Sequence, residues 1–409
     1  MRIRLFLLFA FLLSIPKLHG QALNLSQSQK VSDFLYLFDA LENNYPFFGV
    51  KERVYQMDWL SNKNTYLNRI KHTQNDVEFI REIKSIIGDL KDGHVSFSPT
   101  LYHSNYIKVY KQITAKRGNA YYQPWINELE QVEQEKTAYW KSILDSLKSQ
   151  KLVHKKEEKQ AKTSNDDDHL QLVKCKDTKT AIVKIRTFNH FNIKKDQDTI
   201  YAFLNEISNY KSLIIDIQDN QGGSTSYWRD NLVSKLINDT VFYKSYIAIR
   251  NGNYTKQFYK HLPEEQKNIE DIGFKGHFPS ELKSGDFYIT EGEHSIAPNN
   301  PVGFKGQIYL LVDRKVFSSA ESFAIFCKAS NWAVVAGEQT NGGGGGTDSI
   351  VLALPQSGII INFSGDMPLN PDFSINEEVK TIPDIEIAGK TKEEKLNALL
   401  KFIEDKSDL

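Results

Sequence analysis

The chain has 409 residues, 40% of them hydrophobic, 12% aromatic and 25% charged, a globular composition that excludes a coiled coil, a collagen-like chain and a multi-span membrane protein. At roughly 100 to 200 residues per domain, this length suffices for two to three domains. Lys plus Arg and Asp plus Glu both number 51, so no overall field draws the chain to nucleic acid or anionic lipid.

The N-terminus reads Met1-Arg2-Ile3-Arg4, then a nearly unbroken apolar run from Leu5 to Ile15, then Pro16, Lys17 and Gly20. A basic start and an apolar stretch too short for comfortable spanning predict a signal peptide over 1–20, cut after Gly20. The expectation is an exported protein, periplasmic or extracellular, with no stable membrane span once the signal is removed. Cys175 and Cys327 are the only cysteines, too few for a disulfide scaffold, although one bridge between them is compatible with the sequence. Cys327 lies in an apolar helical stretch and reads as a packed thiol.

From Val31 to Leu90 the pattern is helical. Phe34, Leu35, Phe38 and Leu41 recur at helical spacing until Asn43, Asn44 and Pro46, and Phe79, Ile80, Ile83, Ile86, Ile87 and Leu90 form a second apolar face. These predict a small helical N-terminal domain over 21–98, containing a turn at Asp92-Gly93 that presents His94 before a short alternating run. Residues 99–176 read as a variable spacer or lid, with a charged helical pattern near Glu128 to Ser149 and then a lysine- and acid-rich stretch. Its Asp166, Asp167 and Asp168 read as solvated surface, because no glycine turn or partner ligands accompany them.

The signal then changes to strand, helix, strand. A strand from Ala181 to Thr187, a helix from Thr199 to Ile207 and a strand from Leu213 to Ile217 lead into Asp219-Asn220-Gln221-Gly222-Gly223. Further on come a strand Gln307 to Val312, a turn, a helix from Ser318 to Ala329 and a strand Trp332 to Ala336. Alternation of this kind predicts an α/β core with crossover connections over 177–390. The terminal segment, 391–409, carries a capped amphipathic helix from Thr391 to Asp405.

Three features carry chemistry. Ser318 with Glu321 three residues on reads as a capping box, which by itself accounts for both residues. The same strand-to-helix turn lifts a hydroxyl to the sheet rim and aims free helix amides beside it, an arrangement suited to a developing oxyanion. Gly222 and Gly223 either make a turn or let the backbone approach a ligand and offer amide donors at the carboxyl edge of the sheet. His94 is the third, since an imidazole is the group that takes a serine proton near neutrality. Gly-x-Ser-x-Gly is absent, which argues against an α/β-hydrolase.

Taken in order, Asp92-Gly93-His94, the strand leading to Asp216, Asn220, Gly222 and Gly223, the turn Phe317-Ser318-Ser319-Ala320-Glu321 with Gly337-Glu338-Gln339-Thr340 downstream, and Pro383-Asp384 resemble the C-terminal-processing and tricorn-type serine peptidases, the tail-specific protease superfamily. The resemblance implies a crotonase-like (ClpP/crotonase) βαβ core preceded by a small helical domain, and a serine nucleophile that aligns with Ser318, Ser319 being the weaker candidate. One branch of the family uses a lysine base in a Gly-Lys-Gly context. The corresponding place here falls within Gly342 to Gly346, where no lysine stands. The resemblance therefore points to the tricorn-like branch, with His94 as base and Glu377, six residues before Pro383, as the orienting acid, Glu378 being its rival. Gly222 or Gly223, with the Ser319 amide, would form the oxyanion hole.

Two departures accompany it: Gln218 stands where the family often has an arginine, and Gly93 precedes His94 where tricorn has a serine linking glutamate to histidine. A PDZ-type carboxylate-binding loop is not recognisable between 100 and 175. The implied activity is peptide-bond hydrolysis of an extended peptide or protein substrate, with no metal or organic cofactor. A second reading, motivated by the missing lysine and Gln218, is a non-catalytic peptide- or lipid-binding protein on the same fold.

Overall fold

Helical periodicity governs the first part of the chain and buried strands the rest in the computed structural model, which describes residues 24–98, 103–117, 120–143, 145, 169–260, 279–283 and 285–407. The expected signal peptide and the Asp166–Asp168 triplet lie outside the described residues.

Helix α1 (Gln27–Asn44) opens on a capping box in which Ser26 accepts from the Gln29 amide and the Gln29 side chain accepts from the Ser26 amide. Helices α2 (Phe48–Tyr55) and α3 (Lys63–Lys71) follow, and α4 (Asp76–Gly88), capped by Asn75, buries Phe79, Ile80, Ile83, Ile86 and Ile87. Leu35 departs from the expected face and is 40% exposed, because adjacent helical positions point about 100° apart and Phe34 already faces inward.

These helices do not close a core by themselves. Their apolar residues join one cluster with Trp125, Trp140, Ile249, Ile350, Leu352, Ile361 and Met367. Two three-stranded antiparallel sheets supply that second half. One is ordered β1 (Ser96–Ser98), β10 (Ile360–Phe363), β9 (Ile350–Ala353), and the other β11 (Asp366–Leu369), β5 (Val241–Arg250), β6 (Phe287–Ile296). The described part of 99–176 includes helices α5 (His103–Arg117) and α6 (Gln123–Glu130).

The third sheet has six strands, in the order β12 (Ile385–Glu386), β8 (Val334–Gly337), β7 (Gln307–Val312), β4 (Ser212–Asp216), β3 (Thr180–Ile185), β2 (Leu170–Cys175). All neighbours are parallel except β2 with β3. Its central strands are continuous apolar runs because both faces are covered. Val183, Ile215 and Leu310 pack under α7 (Asn192–Glu206), α8 (Thr225–Trp228) and α9 (Ser319–Ser330), while Ile182, Ile214 and Tyr309 meet Leu396, Leu399 and Ile403 of the terminal helix α11 (Lys392–Ser407). Helix α7 begins seven residues before the expected Thr199, since its first two turns are mostly polar, with Ile193 only partly buried and the buried Asp196 polar, and full apolar burial starts at Ile200. Both thiols are free, and Cys327 is buried in α9.

Candidate active site

In the parallel register of β4 and β7, Asp216 stands opposite Leu311, so the segments that follow leave the same sheet edge side by side. Main-chain bonds then fix both: Ile217 N donates to Leu311 O (3.0 Å), Phe317 N to Asn220 O (3.2 Å) and Ser318 N to Gly342 O (3.3 Å). Ser318 sits at φ 58°, ψ −123°, a conformation that costs a non-glycine residue on the order of 1–3 kcal/mol and persists only where its surroundings over-determine it. Gly222 is part of those surroundings, for a Cβ there would stand 2.8 Å from Phe317 O and from Ser319 N.

The expected capping box does not form. Positive φ directs the Ser318 hydroxyl away from the helix amides, and it makes no capping bond. Glu321 is fully buried instead, its Oε1 accepting from Asn376 Nδ2 (2.8 Å) and Thr381 Oγ1 (2.6 Å), and burial raises its pKa above the ordinary carboxyl value.

The Ser318 hydroxyl lies 3.3 Å from Nε2 of His94, 224 residues away in sequence. His94 is positioned by side chains. Asp92 Oδ1 accepts from the His94 amide (2.8 Å), while Asp92 Oδ2 accepts from Tyr45 (2.9 Å) and Ser364 (3.4 Å). The imidazole stacks on Phe317, centroids 4.7 Å apart at 25°. The same ring accounts for Gly93, where an added Cβ would come within 2.7 Å of Phe317 Cζ, so a serine there would have to displace the ring.

The two glycines differ. The Gly222 amide donates to Asn220 Oδ1 (2.9 Å) and is spent inside the turn. Gly223, at φ 135°, bridges to Phe188 through its neighbours, which leaves its own amide, like that of Ser319, without an acceptor among the described residues. Both residues line the cleft that holds Ser318 and His94, a cavity of ≈ 900 Å³ also bounded by Tyr121, Tyr122, Arg229 and Asp366.

Glu377, on the short helix α10 (Asn376–Val379), lines this cleft, but its Oε1 accepts from the buried Lys51 Nζ at 2.5 Å, and among the described residues no hydrogen bond joins it to His94. Glu378 turns away to Arg53 through two bonds of 2.8 and 2.7 Å. Sequence reasoning missed Lys51, since a lysine in a mixed helix carries no sign of its burial. It missed Arg186 as well. That guanidinium grips Asp216 with two bonds of 2.9 Å and donates to Gln218 O (2.8 Å), so a cation stands at this corner although Gln218 replaces the expected arginine. Among the described residues no group of three His, Cys, Asp or Glu is placed to hold a metal ion.

A hydroxyl beside an imidazole, with two unclaimed amides in the same cleft, is the equipment that acyl transfer by a serine hydrolase requires. The chain belongs to peptidase family S41, whose sequence profile matches residues 179–387. Its fold is similar to that of a candidate peptidase from Parabacteroides merdae ATCC 43184 (17% identity, 91% of this chain and 96% of the other, TM-score 0.55). It is also similar to mature CPAF (12% identity, 92% and 96% covered, TM-score 0.54). Comparison with curated protein sequences finds no match. No helix among the described residues is long and apolar enough to cross a membrane.

Proposed function

We propose that the chain is an exported serine peptidase in which Ser318 is the nucleophile and His94 the general base. The observation that carries this reading is the 3.3 Å approach of Ser318 Oγ to His94 Nε2, made by a serine in strained backbone at a sheet edge. Ser318 attacks the scissile carbonyl carbon as Nε2 takes its proton. The Gly223 and Ser319 amides hold the oxyanion, and the imidazolium returns the proton to the leaving amine. Water, activated by the same imidazole, then hydrolyses the acyl-enzyme. Glu377 is the acid of this site and, being held by Lys51, acts on the imidazolium across the cleft rather than by a direct bond. The crotonase-like core over 177–390, the helical region before it and an exported location belong to the same reading.

A fluorophosphonate probe tests it. Labelling at Ser318 that vanishes in Ser318→Ala and falls steeply in His94→Ala is the expected result. A folded protein that never labels would sink the catalytic reading and favour the passive peptide- or lipid-binding alternative.

A further inference from the structure

The cleft divides its charges unevenly. Arg229 is the one Lys or Arg lining it among the described residues, and His294 on β6 lines it too. Asp366 on β11 lines it elsewhere, with the exposed Asp348 beside the glycine run. Strand β5 measures the separation. Asp366 pairs with Ile249 and His294 with Tyr243, six residues apart, or about 20 Å at ~3.3 Å per residue.

Asp366 is only 4% exposed. Its Oδ2 accepts from Tyr259 (2.9 Å), from the Thr347 amide (3.1 Å) and from the Thr347 hydroxyl, which fixes the carboxylate plane. Its Oδ1 receives no donor among the described residues and is not sealed from solvent, and the residue lines the cleft. No Lys or Arg pairs with this group among the described residues; burial pushes its carboxyl pKa up, opposed by its hydrogen bonds and by the His94 imidazole, which acts on it through space without a hydrogen bond. A carboxylate held out of water and half-bonded is costly until a cation reaches it. Tyr121, Tyr122 and Ile113 line the same cleft and offer an apolar surface to a long methylene stem.

We propose that Asp366 is the floor of a subsite for a cationic side chain, lysine or arginine, of an extended peptide lying across Ser318. The inference rests on the peptidase reading for its substrate class and is tested apart from turnover. Full-length Ser318→Ala protein is titrated with dye-labelled alanine hexapeptides in which lysine or norleucine is walked through every position, with binding read by fluorescence anisotropy. At one position lysine binds about tenfold more tightly than norleucine, equivalent to ~1.4 kcal/mol. Adding Asp366→Asn abolishes that preference and Asp366→Glu retains it.

Equal affinities at every position, binding of neither peptide at millimolar concentration, or a preference that survives Asp366→Asn in a folded protein overturns the proposal. The lysine–norleucine comparison needs no change at Asp366, so it stands even where the asparagine variant does not fold. A lysine preference without fluorophosphonate labelling sinks only the catalytic reading, and labelling without the preference sinks only the subsite.

Discussion

The six-stranded sheet and the helical region before it deliver Ser318 and His94 to the cleft by different means. Ser318 is held by main-chain bonds running from β7 through Phe317 to Gly342, with Gly222 packed against it. His94 is held by side chains from distant segments: Tyr45 and Ser364 through Asp92, and Phe317 through ring stacking. A backbone-built position tolerates most changes in neighbouring side chains, whereas a side-chain-built position can be loosened one contact at a time. On the proposed mechanism, hydrolysis by this pair would depend on a rigid half and an adjustable half.

Removing the proposed base breaks the comparison most severely. His94→Ala should lower turnover of a peptide substrate by about 10⁴- to 10⁶-fold, as in other sites that lose one member of an acyl-transfer unit. The imidazole is only half-buried, so the unfolding midpoint should scarcely move. Asp92→Ala keeps the base but frees its loop, and a displacement of an ångström costs roughly 100-fold in turnover. A full-activity Asp92→Ala enzyme would show that the ring stack on Phe317 alone positions His94.

The adjustable half also contains the buried Lys51–Glu377 pair, whose side chains are 1% and 9% exposed. Lys51→Met leaves the carboxylate only the longer contact to Lys380 (3.9 Å) and should destabilise the fold by at most about 3–5 kcal/mol, while Lys51→Met/Glu377→Gln should recover most of that loss. Denaturant midpoints of the two variants decide it. A double variant as unstable as the single one would mean that Lys51 matters for packing rather than for charge.

How much of this was legible in the sequence follows the same division. Strand β7 has the bounds expected from its apolar run, because a strand covered on both faces advertises itself residue by residue. The Ser318 turn was legible as a strand-to-helix junction, and the link to His94 came from the order of motifs that resemble the family. The capping box with Glu321 was a wrong expectation. Its spacing was right, but positive φ at Ser318 depends on Gly222 packing from another segment, which no local pattern encodes. Lys51, Arg186 and Asp366 were invisible for a related reason. Their partners lie on other elements, and polar pairing between distant positions has no period.

Glu321 gives a pH test of the rigid half. Its folded pKa is raised by burial, so between the ordinary carboxyl value and the raised one the native state keeps a proton that the unfolded chain has released. Its contribution to stability therefore falls as pH rises through that window. Glu321→Gln should flatten this decline in melting temperature as pH rises above the ordinary carboxyl range, and an unchanged slope would assign the dependence to other carboxylates.

The last prediction separates strain from catalysis at Ser318 itself. At φ 58°, ψ −123° a glycine carries no Cβ penalty, so Ser318→Gly relieves the native state. It also loosens the unfolded chain, which subtracts roughly 0.5–1 kcal/mol from a relief on the order of 1–3 kcal/mol. The net expectation is a gain of about 1 kcal/mol over Ser318→Ala, read as a higher unfolding midpoint in two proteins that both lack the hydroxyl. Equal midpoints would mean that the turn relaxes without help, and the serine would then sit there at no cost that function has to justify.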